Sequence, residues 1–168
     1  LPWIAGAGWW AIFLVNVPLG EKAAFRGSGF YRFDSGFIDS IGNNPVPSLT
    51  DPGVNVIGGT RVEDGINSID RFGGRLSALF KPSDSFTINL GVQLQNLDSG
   101  ATSVVDADPD SLEPLNSDPV QSSYQLEEND NKYQVYNATL DWDFGAASLE
   151  SITSFGRFEA DFHSDLAI

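Results

Sequence analysis

Residues 71–98, RFGGRLSALFKPSDSFTINLGVQLQNLD, read as two strands joined by a tight turn, and their phase decides the fold class. In the second arm Phe86, Ile88, Leu90, Val92 and Leu94 alternate with Thr87, Asn89, Gly91, Gln93 and Gln95. A period of two puts one apolar and one polar face on a β-strand. In the first arm Phe72, Leu76, Ala78 and Phe80 share one parity, and Arg71, Arg75, Ser77 and Lys81 share the other. Pro82-Ser83-Asp84-Ser85 supplies turn-forming residues between them. A hairpin of a soluble sandwich would alternate in the same way. The arms, however, run about ten residues or more, close to what a tilted strand needs to cross a bilayer.

Upstream, Ala23, Phe25, Gly27, Gly29, Tyr31 and Phe33 lie on one side of a strand, opposed by Ala24, Arg26, Ser28, Arg32 and Asp34. It is entered by the short turn Leu19-Gly20-Glu21-Lys22. The first twenty residues, LPWIAGAGWWAIFLVNVPLG, carry no charge. They do not suit a membrane helix, which Pro18 and two internal glycines oppose, and the basic segment of a signal peptide is missing. A strand over Gly8 to Leu19 is the expectation there, with residues 1–8 unassigned. Downstream, Tyr136, Ala138, Leu140, Trp142 and Phe144 alternate with Tyr133, Asn137, Thr139, Asp141 and Asp143, and Gly145-Ala146 turns this strand into a sixth.

The expected fold is all-β, an antiparallel up-and-down meander of about six long strands near residues 8–19, 23–38, 71–82, 86–98, 132–144 and 147–162. Two long connections, about 39–70 and 99–131, are rich in Pro, Gly, Asn, Asp and Ser, and are expected to be mobile, solvated chain without regular structure. Short turns near residues 20, 83 and 145 therefore alternate with long loops. Outer-membrane barrels show that asymmetry, with short periplasmic turns, long outer loops and alternating lipid-facing and lumen-facing residues. Phe25, Phe80, Phe86, Trp142 and Phe144 sit beside the short turns on the apolar parity, where an interfacial girdle belongs. The meander is thus expected to be an open section of a transmembrane β-barrel.

Composition narrows the chemistry. A formal net charge of −14 opposes nucleic acid as a partner, because phosphate binding needs clustered Lys and Arg. The absence of Cys excludes disulfides and thiolate metal sites, and the single His163 opposes a His-based zinc site. No Gly-flanked Ser elbow, phosphate loop or carboxylate pair suggests an enzyme. An outer-membrane hydrolase would need His163 beside a nucleophile. Asp106, Asp108, Asp110 and Glu113 could offer oxygen ligands to Ca²⁺, but Pro109 interrupts the run and no Gly-centred loop is present, so a solvated loop is the preferred reading. Asn137-Ala138-Thr139 matches a glycosylation acceptor but falls within a strand. No catalytic residue, cofactor or metal is expected.

Four segments in order resemble the early barrel strands of TonB-dependent outer-membrane receptors: Asn16-Val17-Pro18-Leu19; Arg32-Phe33-Asp34-Ser35-Gly36-Phe37-Ile38-Asp39; Gly74 to Pro82; and Asp141-Trp142-Asp143-Phe144-Gly145 with Ser151-Ile152-Thr153-Ser154. The resemblance covers about residues 15–165. It implies a bacterial outer-membrane barrel of about twenty-two strands that takes up scarce nutrients such as ferric siderophores, with lipid, a plug domain, TonB and the nutrient as partners. The chain departs from that family in lacking a plug domain and the TonB-contacting box, and six strands are too few for such a barrel. Residues 1–168 are accordingly expected to be a fragment of the barrel domain that does not close by itself. Arg26, Arg32, Arg71, Arg75, Asp141 and Asp143 are the candidate lumen-facing, ligand-contacting residues, with Lys81, Arg157, Asp34 and Glu150 beside them. The plainer reading of these charges is a wetted polar wall. The alternative function is a small self-contained outer-membrane barrel or adhesin whose acidic loops bind a partner.

Overall fold

The computed structural model describes residues 7–43, 46–47, 50–51, 53, 55–57, 61–123 and 125–164. In chain order the strands are β1 (Trp9–Pro18), β2 (Ala23–Asp34), β3 (Asp39–Ile41), β4 (Val46–Pro47), β5 (Asn55–Ile57), β6 (Val62–Glu63), β7 (Ile69–Ser83), β8 (Phe86–Ser99), β9 (Val120–Gln121), β10 (Asn129–Asp143) and β11 (Ser148–Phe162). The six long ones form a single sheet in the order β1-β2-β7-β8-β10-β11, every neighbour antiparallel. The chain is therefore an all-β meander. Gly20 and Gly145, in two of the short turns, have φ of 80° and 85°, a left-handed conformation that Gly enters without the steric cost of a Cβ.

The register turns the alternation of each strand into two continuous faces. Phe25 stands opposite Ala78, Ala78 opposite Leu90, and Leu90 opposite Ala138, so all four project to one side. Their neighbours Arg26, Ser77, Gly91 and Asn137 line up on the other. Close packing of side chains on the apolar side uses glycine: a Cβ at Gly29 would run into the Phe13 ring. Among the described residues no layer covers either face. Ile12 is 68% exposed, Phe13 67% and Ile152 67%.

The connections differ from the mobile chain expected of them. Among the described residues the buried apolar side chains are Ile38, Ile66, Ala101 and Val120, and none lies in the long sheet. Ile38, Ile66 and Ala101 pack together with Val105 and Leu126, so the two long loops share a small core. Strand β3 pairs antiparallel with β6 and parallel with β9, which ties the first loop to the second. This packing also explains why β2 stops at Asp34 and not at residue 38. Phe37 and Ile38 donate their backbone N–H groups to Asn67 Oδ1 at 2.8 and 2.9 Å, and so leave the ladder. Asn67, only 4% exposed, also donates from Nδ2 to Ser103 Oγ at 3.1 Å. Composition pointed to disorder because the apolar residues here are few, but the hydrogen bonds of one buried amide replace much of what a larger core would supply.

Asn67→Ala would leave two backbone donors without their acceptor and should destabilise the loop core by about 2–4 kcal/mol. Hydrogen exchange would show it, as lost protection at Phe37, Ile38 and Ile66 with the amides of β8 and β10 unchanged.

Candidate functional site

The sheet positions the charged candidates through register alone. On the polar face Arg32 stands opposite Arg71, Arg75 opposite Ser28, and Arg26 opposite Ser77. The four arginines thus form a column along β2 and β7. Near the long-loop end Asp34 Oδ1 accepts from Arg32 Nε at 2.9 Å and from Nη2 at 2.8 Å, while its Oδ2 lies 3.5 Å from Arg71 Nη1. These pairs are a third to a half exposed, so each contributes only about 0–1 kcal/mol and serves chiefly to orient the guanidinium groups. Arg26 and Arg75 have no carboxylate within ion-pair reach among the described residues.

Asp141 and Asp143 share the face but not the neighbourhood. Asp141 stands opposite Thr87 and Glu150 near the short-turn end of β10, while the residue of β10 level with Arg26 is Asn137. Strand β8 lies between, and its side chains on this face, Thr87, Asn89, Gln93 and Gln95, are all uncharged. The six sequence-predicted residues therefore split into a basic column and a separate acidic end. Asp143 accepts the Gly145 N–H at 2.7 Å and belongs to the turn.

The apolar face carries a pattern that parity alone does not reveal. Beside the short turns it holds Phe25, Phe80, Phe86 and Trp142, with Phe86 and Trp142 ring centres 5.2 Å apart and Trp142 stacked on Phe144 at 4.8 Å. Toward the long loops it holds a second aromatic band. Trp9 stacks on Tyr31 at 4.7 Å, Phe33 and Phe72 lie beside them, and Tyr136 and Phe155 continue the band at 6.3 Å. The bands are six to eight residues apart on β2, β7 and β10, roughly 20–26 Å along the strand at about 3.3 Å per residue. Between them, on that face, no described residue is charged. Both bands also slant. Level with Phe25 on β10 is Ala138, yet the aromatic is Trp142; level with Tyr31 is Lys132, yet the aromatic is Tyr136. The first band drifts four residues toward the short turns, and the second four from Tyr31 or six from Phe33.

Beyond the second band the face becomes charged and mostly acidic, and Arg157, opposite Gln134, lies here and not on the polar face where it was expected. Asp70, Asp98, Asp130 and Asp161 stand opposite one another across four strands, with Tyr31 hydroxyl donating to Asp70 and Lys132 Nζ 2.8 Å from Asp130. They border a hollow of about 430 Å³ with Glu128 and His163. Sequence inspection missed this row because each Asp lies on a different strand, and only the pairing aligns them. No described group of His, Asp and Glu is arranged to hold a metal ion. In the second long loop Asp108 accepts from the backbone N–H of Ser111 at 2.8 Å and of Asp110 at 3.0 Å, and from the Ser111 hydroxyl at 3.1 Å. Asp106 accepts from Ser122 Oγ at 2.6 Å. Two of the carboxylates considered for Ca²⁺ thus organise their own loop.

Comparison of the chain with protein-family models, with curated proteins and with solved structures finds no match in any of the three.

The backbone N–H of Ser111, then that of Asp110 and the Ser111 hydroxyl, hold the Asp108 carboxyl below the ordinary aspartate range. A depressed folded pKa means that the turn is fully stabilised above the unfolded value of about 3.9 and loses that stabilisation as pH falls through the folded value. The amide proton shifts of Asp110 and Ser111 should therefore stay constant from about pH 7 to 5 and titrate only below about pH 4. Asp108→Asn should abolish the titration; a midpoint above the ordinary aspartate value would contradict the assignment.

Proposed function

We propose that this chain forms part of the wall of a transmembrane β-barrel in a bacterial outer membrane, in a receptor of the TonB-dependent kind that takes up a scarce nutrient such as a ferric siderophore. The observation that carries the reading is the pair of slanted aromatic bands. In such barrels an apolar belt about 25 Å tall is flanked by aromatic girdles, and strands tilt by about 35–45°. In a tilted sheet a level line crosses successive strands at shifted residues, and both bands shift in the same sense, the first by four residues and the second by four from Tyr31 or six from Phe33. Packing against a soluble partner would not require that two separate bands drift in parallel. The charge-free interval between them and the acidic row beyond suit hydrocarbon and its watery boundary.

The opposite face supports a wet interior, with Arg, Ser, Asn, Gln and Thr along the middle strands β2, β7, β8 and β10, interspersed with Phe30, Leu79, Leu97 and Val135. The role proposed is passage and binding of a solute, not catalysis. The likeness of four ordered segments to TonB-dependent receptors supports the narrower part of the reading, including a plug domain and TonB as partners of the intact protein. The six strands do not close on one another, so β1 and β11 present edges that further strands would have to pair.

Lipid and lumen faces respond differently to charge, which gives a direct test. Leu90→Arg, between the two bands, should cost about 2–4 kcal/mol, while Asn89→Arg on the polar face should be nearly neutral. Urea titration of folding into lipid vesicles measures both, and equal losses would overturn the assignment of faces.

A further inference from the structure

We propose that the polar face of β2, β7 and β8 holds a subsite for a small oxyanion, carboxylate- or phosphate-bearing, centred on Arg75. The proposal rests on the reading of that face as a water-filled interior. It starts from charge. In a chain of formal net charge −14, four of the nine Lys and Arg stand in one column on β2 and β7, and Asp34 is the one carboxylate among them. Asp34 engages Arg32 and Arg71 at the long-loop end. Arg75, deeper along the strand, has no such partner and is exposed.

The surroundings of Arg75 are shaped for an occupant. A hollow of about 290 Å³ opens beside it, bordered by Ser28, Gln93 and Gln95 and walled by Ile12 and Phe30. Arg75 stands opposite Ser28 on one side and Gln93 on the other, so a guanidinium, a hydroxyl and an amide converge on one space. Beside the hollow, Phe30 packs closely over Gly73, where a Cβ would lie 3.1 Å from the ring and 2.6 Å from the Leu94 carbonyl oxygen. The lining offers N–H and O–H donors and no carboxylate, the chemistry that recognises an anion through charge-assisted hydrogen bonds. Rings and columns of Arg select anions in pores for the same reason. At about 290 Å³ the hollow is close to the lower range of small-molecule sites, about 300 Å³, and has room for a small anion.

The chain has no Cys, so Gln93→Cys in the full chain, reconstituted in lipid vesicles, provides a single thiol at the hollow. An anionic thiosulfonate reagent should label it faster than a trimethylammonium one, and citrate should slow labelling while a neutral trisaccharide should not. Adding Arg75→Gln should lower the anionic-to-cationic rate ratio about tenfold, as expected for one unit charge some 6 Å away in water. Arg75→Lys should keep most of the ratio, and Arg157→Gln, which removes the same charge from the other face, should leave it unchanged. Equal ratios with and without Arg75, or no protection by citrate, would overturn the subsite. Stronger protection by a short Glu-containing peptide than by citrate would overturn the small-anion occupant in favour of a protein carboxylate. Leu90→Cys tests the underlying reading separately: it should resist both reagents, and free labelling there would remove the membrane assignment whatever citrate does at Gln93→Cys.

Discussion

The hydrogen-bonded ladder of six antiparallel strands holds this molecule together, because among the described residues nothing packs on either face of the sheet. Each interior strand has both edges paired, so its backbone N–H and C=O groups are satisfied without water. A soluble protein adds to such a ladder a hydrophobic core that keeps the sheet from opening. Here the described core belongs to the loops alone. A sheet whose backbone is satisfied and whose apolar side chains are exposed is matched to a solvent that is itself apolar, which is the physical basis of the bilayer setting proposed above. The same constraint singles out β1 and β11, whose outer edges lack partners in the sheet.

Those two edge strands also depart from the two-faced pattern. In β1, Trp10, Ile12 and Leu14 share the face that carries arginines on β2. In β11, Ile152, Phe158 and Phe162 share the face of Asn89 and Gln95, and Phe158 packs against Tyr133 with ring centres 4.6 Å apart. In the proposed setting, apolar flanks and a polar, basic centre suit contact with other protein at the margins and with water or solute in the middle. The amide and hydroxyl strip on β8 separates the basic column from the acidic short-turn end, so neither is neutralised by the other. The face keeps its charges because their distance along and across the sheet prevents pairing.

The long loops are a joint structure. Asn43 Nδ2 reaches the Ser122 carbonyl at 2.9 Å over 79 residues, and β3 receives one partner from its own loop and one from the next. Gly36 and Gly65 approach so closely that a Cβ on Gly36 would overlap the Gly65 backbone. In the proposed setting this places a shared, internally hydrogen-bonded cap at the outer end of β2, β7, β8 and β10. A single buried Asn at its centre makes that cap more specific in geometry than its few apolar residues suggest.

Strand positions were legible from the sequence because alternation is local: the parity of Leu90 and Asn89, or of Leu140 and Thr139, is set by neighbours on the same strand. The short turns were legible for the same reason, as Gly20, Gly145 and Pro82-Ser83-Asp84 act within a few residues. The basic column was legible only in part, since parity put Arg26, Arg32, Arg71 and Arg75 on polar faces but could not tell that Asp34 holds two of them and that Asp141 and Asp143 lie elsewhere. Register decided that, and register is a relation between strands. It likewise aligned four aspartates from four strands, set the common slant of the aromatic bands, and brought Ser28 and Gln93 to either side of Arg75. The loop core escaped sequence reading because Ile38, Ile66 and Ala101 are isolated apolar residues in polar surroundings, and only the folding of the long hairpins brings them within reach of one another.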